Sequence, residues 1–299
     1  MSLTKISINN FRCFKNVDLQ LSPGINFFFG KNGSGKTSIL ESVFIFSSGK
    51  SFKSSNLASL VNYENDKFTL KAFDNLKGYI VEIEKNKNKP ISVLLNNKKI
   101  TTSKLIKEFP CTPIHNNTFS FADASPDFRR KLLDRSIFIS EKSFSECWFS
   151  YYRSLKQRNS ILKNNRISDI YIWNTKLSDE GIKLNNMRKN FFTKTKNEFY
   201  YLIDLIQPSS VFDFFNLIEI DFFRGWDENK NLNDLLQENQ DIDLKRKSTT
   251  QGPHKSDIKF LINNIDARQV LSRGEQKFFS ILWSLAQHEV LKKQYKTVS

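Results

Sequence analysis

A glycine-containing segment near the amino terminus constrains this 299-residue chain more than any other feature. Residues 30–37 read Gly-Lys-Asn-Gly-Ser-Gly-Lys-Thr, between an apolar run (25–29) and a helix-like stretch (38–44). The pattern G-x-x-x-x-G-K-[ST] between a strand and a helix is typical of a phosphate-binding loop in α/β proteins. The chain has only 10 glycines, so this spacing indicates a phosphate-binding loop rather than a surface turn that matches by chance.

Each residue type in this loop has a chemical role. Glycines let successive N–H groups point inward at phosphate oxygens. The lysine brings a positive charge to the β- and γ-phosphates, and the threonine hydroxyl can ligate Mg²⁺. The predicted ATP-binding residues are Gly30, Lys31, Asn32, Gly33, Ser34, Gly35, Lys36 and Thr37, with Thr37 also the predicted Mg²⁺ ligand.

Composition excludes several classes of protein. A hydrophobic content of 39% with 13% aromatic residues is ample for a buried core, so global disorder is excluded. No run of 18 apolar residues occurs, and the amino terminus lacks an apolar signal core. Three scattered cysteines, Cys13, Cys111 and Cys147, fit neither a metal site nor a disulfide framework. We therefore expect a cytoplasmic protein without a membrane segment.

The net charge of +15 has two interpretations. A balance this basic is typical of a protein with a polyanionic partner such as nucleic acid. A chain rich in Lys, Asn, Ile and Phe is also what AT-biased coding would produce. Charge alone leaves both open.

Periodicity divides the chain into strand-rich and helical parts. Strands are predicted at 3–9, 16–21, 25–29, 68–73, 79–83, 91–95, 211–215 and 217–223, and helices from Ser125, at 143–164, 168–206 and 278–291. We predict a head domain formed by residues 1–120 and 245–299. A mainly helical lid or arm domain, residues 121–244, is inserted between them.

A second motif, Leu-Ser-Arg-Gly-Glu-Gln at residues 271–276, precedes the last predicted helix. Ser272 and Glu275 have the spacing of a capping box, so a well-capped helix start is one interpretation. A helix amino terminus with a hydroxyl and an arginine is also suited to an anion. The second interpretation is a site for the outer phosphate of another subunit's nucleotide.

Together these stretches resemble the RecF family of bacterial replication and repair proteins, within the ABC/SMC class of ATPases. The further matching stretches are Met1–Thr4, Asn10–Arg12, Leu21–Asn26, Gly49–Ser54, Leu155–Asn159, Arg224–Trp226, Gly252–Asp257 and Leu271–Lys277. The resemblance implies an α/β P-loop ABC/SMC-type ATPase head with an inserted, mainly helical second domain. It also implies a weak DNA-dependent ATPase that forms a homodimer on ATP. DNA at single-strand gaps and duplex junctions, RecO and RecR are the implied partners, and help in loading RecA is the implied task.

The resemblance also suggests roles for individual residues. The implied trans site is Ser272, Arg273, Gly274, Glu275 and Gln276, and the favoured DNA-binding residues are Lys53, Arg129, Arg130, Lys156 and Arg158. Arg12 either approaches the nucleotide or forms a surface salt bridge. His254, Lys255 and Asp257 either form a structural turn or contact the nucleotide.

A departure from the family pattern at the carboxyl end affects the expected mechanism. ATPases of this class use an acidic pair after an apolar strand to hold Mg²⁺ and polarise water. The chain stops at 296–299, where that strand is expected to begin, so no catalytic residue is predicted. Leu217 to Asp221 is the internal candidate, but it precedes Arg224 and belongs to the inserted domain. We therefore expect a truncated product or a fragment that retains partial ATP binding and has severely weakened hydrolysis.

Two other functions compete with this interpretation. The alternative is a truncated, non-catalytic DNA-binding remnant with a vestigial nucleotide pocket. The long inserted helices and the excess of basic over acidic residues argue against a transporter ATPase.

Overall fold

The computed structural model describes residues 3–75, 78–114, 121, 123–164, 167–206 and 217–296. The chain divides into two compact units, Met1–Pro113 and Ile114–Ser299. We call them the amino-terminal and the carboxy-terminal unit. Both combine helices with antiparallel strands.

The amino-terminal unit is built on a six-stranded sheet. Its strands are β1 (Leu3–Phe11), β2 (Phe14–Gln20), β3 (Lys67–Asp74), β4 (Tyr79–Asn86), β5 (Ser92–Leu95) and β6 (Lys98–Lys99). They lie in the order β2-β1-β3-β4-β5-β6, and every neighbouring pair is antiparallel. Five of the six strands predicted between residues 3 and 95 are thereby confirmed.

Two helices, α1 (Lys36–Ser48) and α2 (Thr102–Glu108), join this sheet in one hydrophobic core. Along β3 the alternate residues Phe68, Leu70 and Ala72 are buried, as a strand with one covered face requires. Ile45 and Phe46 of α1 have no exposed surface. The helix that follows the phosphate loop is therefore anchored by its carboxyl-terminal half.

The predicted strand at residues 25–29 is wrong. The segment belongs to no sheet among the described residues, and Ile25, Phe27 and Phe29 are 78%, 84% and 94% exposed. Only Phe28 packs against the core. An apolar run gives a strand only where a neighbouring strand supplies hydrogen bonds, and here the side chain of Asn26 instead bonds the backbone of Ser22.

The carboxy-terminal unit is mainly helical. Its helices are α3 (Pro126–Ser140), α4 (Phe144–Asn164), α5 (Ile170–Ile206), α6 (Leu232–Glu238), α7 (Gln240–Arg246), α8 (Ala267–Val270) and α9 (Arg273–Lys296). The predicted helix at Ser125 is confirmed, because Ser125 Oγ accepts the N–H of Phe128 at 3.4 Å as an N-cap. The two long predicted helices correspond to α4 and α5.

A three-stranded sheet completes this unit, with strands β7 (Ile218–Phe223), β8 (Asp257–Ile262) and β9 (Ile265–Asp266) in the order β7-β8-β9. The run 217–223 is thus a strand of this unit, as predicted. The predicted strand 211–215 lies outside the described residues. Aromatic rings fill the core between these elements: the fully buried Trp283 of α9 lies 5.5 Å from Phe260 and 5.7 Å from Phe199 between ring centroids.

The unit boundary at 113–114 separates the phosphate loop from the second motif. Residues 245–299 group with residues 114–244, since β8 pairs with β7 and α9 packs on α5. The predicted head of residues 1–120 with 245–299, and the inserted domain 121–244, concern the arrangement of the two units and stay predictions.

Candidate nucleotide and DNA-binding sites

The phosphate loop has the backbone that its glycines predict. Gly30, Gly33 and Gly35 have φ angles of 152°, 82° and 92°, and α1 begins at the next residue, Lys36. Gly35 is also fixed by packing, because a Cβ atom placed on it would lie 2.3 Å from Cζ of Phe14. The first residue of β2 therefore supports the loop, a contact that no sequence pattern indicated.

The side chain of Lys36 closes the loop on itself. Its Nζ donates hydrogen bonds to the carbonyls of Gly30 at 2.7 Å and Lys31 at 2.9 Å. Beside it lies an open cavity of about 320 Å³. The cavity is lined by Phe27, Phe28, Phe29, Gly30, Ser34, Lys36 and Ile39.

This arrangement fits the tail of a nucleoside triphosphate. Among the described residues, the lysine ammonium bonds backbone carbonyls alone, and it can exchange them for phosphate oxygens. Lys31, Asn32, Gly33, Ser34 and Thr37 are exposed, so their polar groups are open to a ligand. A triphosphate would bring Mg²⁺ with it, and the Thr37 hydroxyl is the protein group placed to share in holding that ion. The chemistry that Mg²⁺ supplies there is neutralisation of phosphate charge.

Arg12 lies in the turn between β1 and β2 in a left-handed conformation, with φ of 55°. Its Nε and Nη2 donate to the two carboxylate oxygens of Glu41 at 2.7 and 2.8 Å. This hydrogen-bonded pairing raises the pKa of Arg12. Glu41 is fully buried, so the pair is not the surface salt bridge of the sequence interpretation. An approach of Arg12 to the nucleotide stays a prediction.

The second motif forms the amino terminus of α9. Ser272 Oγ accepts the N–H of Glu275 at 3.3 Å, while Glu275 Oε2 accepts the N–H of Ser272 at 2.6 Å. This is the capping box that the spacing predicts. The Nε2 of Gln276 donates to the carbonyls of Arg268 at 3.2 Å and Leu271 at 2.9 Å, two residues that precede the helix. Ser272, Arg273 and Gly274 are exposed, and their trans role stays a prediction.

The turn at residues 249–257 is an internal structural element. His254 shares a hydrogen bond with Tyr151 through Nδ1 at 2.7 Å and with the carbonyl of Thr249 through Nε2 at 2.9 Å. Burial lowers the pKa of His254 to about 4. Asp257 pairs with Arg129 at 2.8 Å, and Lys255 is exposed. For His254 and Asp257 these contacts support the turn interpretation over contact with the nucleotide.

Three of the five favoured DNA-binding residues form contacts within the carboxy-terminal unit. Arg158 has no exposed surface and contacts Asp243 at 2.6 Å, so the prediction that it binds DNA does not fit the structure. Arg129 is 11% and Arg130 15% exposed, and Arg130 donates to the carbonyl of Ser256. Both belong to the support of the 249–257 turn rather than to a basic surface.

Exposed lysines that the sequence interpretation did not single out lie on α5. Residues 181–197 contain no Asp or Glu, and Lys183, Lys189 and Lys194 are exposed along this part of the helix. Lys53 and Lys156 are also exposed. The signal in the sequence was the absence of acidic residues over four to five helical turns. Arg188 lies in the same stretch but is buried against Asp134, so it adds no exposed charge.

Comparisons with known proteins agree over nearly the whole chain. The family model described as the RecF/RecN/SMC N terminal domain matches residues 2–295. The DNA replication and repair proteins RecF of Francisella tularensis subsp. tularensis and subsp. novicida are each 33% identical over 293 residues, covering 97% of this chain and 82% of the relative.

Solved structures agree with this result. A structure described as the recombination mediator protein RecF-ATP in the RecFOR pathway superposes with a TM-score of 0.80 at 25% identity, covering 99% of this chain and 82% of the other. An Smc head bound to the C-winged helix domain of ScpA has a TM-score of 0.54 at 14% identity, over 97% of this chain and 77% of the other, which indicates a shared fold alone.

In the part of the chain that the structure describes, no helix combines the length and the apolar character that a bilayer span needs.

The extent of the family match and the identity to RecF proteins show that the chain belongs to the RecF family of DNA replication and repair proteins, with an ABC/SMC-type ATPase fold.

Proposed function

We propose that this chain binds Mg²⁺-ATP at Gly30–Thr37, dimerises on it through the 271–276 motif, and binds DNA in recombinational repair. The observation that carries the proposal is the Lys36 ammonium, held by two loop carbonyls beside an open cavity. The RecF-ATP structure with which this chain superposes supports the choice of nucleotide.

Substitution of Lys36 tests the nucleotide site. Lys36→Ala removes a charge-assisted contact worth about 1.5–3 kcal/mol, so ATP affinity should fall roughly 10- to 150-fold. Lys87→Ala, in an exposed turn of the same unit, is the matched control and should leave the affinity unchanged. Equilibrium dialysis with labelled ATP and Mg²⁺ measures both.

Failure of this test would favour the second candidate function. Should wild type and Lys36→Ala take up ATP equally poorly, the non-catalytic DNA-binding remnant would replace the ATP-dependent protein. DNA affinity independent of nucleotide would then be expected.

Dimerisation is proposed to place the exposed end of α9 against the nucleotide of a second copy. Ser272→Arg would add bulk and charge at that end, so the ATP-dependent increase in mass should disappear while ATP uptake by the monomer persists. Ser160→Arg, at an exposed position of α4, is the control. Sedimentation velocity with and without ATP decides; dimers of Ser272→Arg would contradict the trans role.

DNA is proposed to bind through exposed lysines, with Lys53, Lys156 and the α5 surface as candidates. The +15 net charge and the exposed Lys189 and Lys194 of α5 support a phosphate-backbone contact. Replacing Lys189 and Lys194 by Ala should weaken duplex binding and reduce the slope of log K against log salt by up to about two. The double variant Lys87→Ala/Lys99→Ala, at two exposed positions, should change neither.

Binding to single-strand gaps and junctions, assistance in RecA loading and association with RecR and RecO are proposed from the family and from the RecFOR pathway in which the RecF-ATP structure is described. A cytoplasmic location is proposed on the same basis. Pull-down of purified RecR by this chain, with and without ATP, tests the partner assignment.

A further inference from the structure

Glu41 is a buried carboxylate that joins three separate parts of the amino-terminal unit. It lies on α1 one turn after Thr37 and has no exposed surface. Its Oε2 accepts from Nε of Arg12 at 2.7 Å, and its Oε1 accepts from Nη2 of Arg12 at 2.8 Å and from Oγ of Ser51. A buried carboxylate is costly unless fully paired, so these three groups cannot move independently.

Ser51 extends this connection to an exposed basic loop. Its Oγ donates to Glu41 and accepts the N–H groups of Lys53 and Ser54, both at 2.9 Å. The hydroxyl therefore uses its whole hydrogen-bonding capacity to join the loop of residues 51–54, which we call the Lys53 loop, to α1. The side chain of Lys53 remains exposed at the surface.

Arg12 fixes the other end of the connection. Its backbone N–H donates to the carbonyl of Leu60 at 2.7 Å, and its carbonyl accepts from Nδ2 of Asn62 at 3.0 Å. The residue is held in a left-handed conformation that costs a non-glycine residue energy. Arg12 is thus a fixed point against which Glu41 and α1 are set.

We propose that Glu41 is a positioning residue that couples the phosphate loop to the Lys53 loop, so that nucleotide and DNA phosphate bind cooperatively. This inference rests on the proposed function. The amino terminus of α1 carries Lys36 and Thr37, and a triphosphate bound there draws directly on the helix. Because the helix is rigid over one turn, a shift at Thr37 reaches Glu41, and Ser51 passes it to the backbone of Lys53.

The test measures coupling instead of affinity. The dissociation constant of a fluorescent DNA duplex is determined for the full chain with and without saturating Mg²⁺-ATPγS, and the ratio of the two constants is compared between variants. We expect a ratio of roughly 5 to 150 for the wild type, the usual range for coupled sites. Glu41→Gln, which keeps the shape and removes the charge, should bring the ratio to within about threefold of one.

Two further variants keep the proposal falsifiable if Glu41→Gln folds poorly. Ser51→Ala leaves the Arg12–Glu41 pair intact and removes only the connection to the Lys53 loop, so it should lose coupling with little loss of stability. Glu84→Gln, at a surface ion pair with Lys67, is the matched control and should keep the wild-type ratio. A purely structural role for Glu41 would lower both affinities and leave the ratio unchanged.

The outcomes separate this inference from the proposed function. A wild-type ratio of one, or wild-type ratios in both Glu41→Gln and Ser51→Ala, overturns the coupling while ATP and DNA binding stand. A wild-type chain that fails to bind either ligand overturns both.

Discussion

The phosphate loop and the 249–257 turn are both stretches in which the sequence resembles a family pattern, yet the structure treats them in opposite ways. In the loop, Lys36 is held by two carbonyls and six of the eight residues are exposed. In the turn, His254 is bonded on both ring nitrogens and the nearby Arg158 is completely buried. Exposed polar groups that can still form hydrogen bonds therefore indicate a ligand site. A buried network in which the polar groups are already hydrogen-bonded indicates a structural element.

The largest effect is expected from breaking the network around the turn. Arg158 bonds Asp243, Asn174, Thr249 and the carbonyl of Leu236. Arg158→Met leaves a buried carboxylate unpaired and should lower the free energy of unfolding by about 3–5 kcal/mol. All four tryptophans lie in the carboxy-terminal unit, so urea denaturation followed by tryptophan fluorescence reports on this unit.

The matched control for that experiment is Lys156→Met, at an exposed position on the same helix, which should change the stability by no more than about 0.5 kcal/mol. Nucleotide binding in the other unit should persist in both variants. Equal, small effects of the two substitutions would show that the Arg158 network does not stabilise the carboxy-terminal unit.

A pH dependence should come next in size. The pKa of His254 is lowered to about 4 by burial, below its ordinary value of 6.5. The unfolded chain then binds the proton more readily, so the contribution is present above pH 6.5 and is lost as the pH falls toward 4. The loss should amount to roughly 2–3 kcal/mol. Urea midpoints between pH 7 and 4.5 should fall less steeply in His254→Gln, and parallel pH profiles would refute the assignment.

Gly35→Ala should disturb the phosphate loop without affecting the carboxy-terminal unit. The new Cβ would clash with Phe14, and the alanine would have to adopt a left-handed backbone conformation, a strain of about 1–3 kcal/mol. ATP uptake should therefore be lost, while tryptophan-monitored unfolding stays unchanged. Gly78→Ala carries the same left-handed cost, with no atom within 4 Å of its new Cβ. Retained ATP uptake in Gly35→Ala would show that Phe14 does not set the loop.

The smallest effect is expected at the capping box. Ser272→Ala removes the acceptor for the N–H of Glu275 and should cost about 1 kcal/mol of unfolding free energy in the carboxy-terminal unit. The same fluorescence-detected urea titration measures it. Ser140→Ala removes a 3.3 Å bond to the carbonyl of Ile137 in the last turn of α3 and is the control; it should cost less, because it leaves no helix-start N–H without its acceptor.

Local signals predicted most of the fold and failed where distant contacts decide. The helix after the loop, the capping box and the β3 alternation follow from near neighbours in sequence, and all are present. The run 25–29 had the right residues but lacks a sheet partner among the described residues, which periodicity cannot reveal. Arg158 looked like a surface charge because its partner Asp243 is far along the chain.

The same limit applies to the candidate site. Lys36 and its loop could be predicted because the ligand-binding groups are contiguous. Glu41 was not identified, since its role depends on Arg12 and Ser51 meeting it in space. Composition predicted a basic protein but not which lysines stay exposed on α5.

The contact between Gly35 and Phe14 has an evolutionary consequence. Two positions that touch so closely are not free to drift apart in size, so a homologue with a bulkier residue at the first should carry a smaller one at the second. Natural variation at this pair would then report how closely β2 packs under the phosphate loop. A library randomised at both positions should recover only pairs of compensating volume.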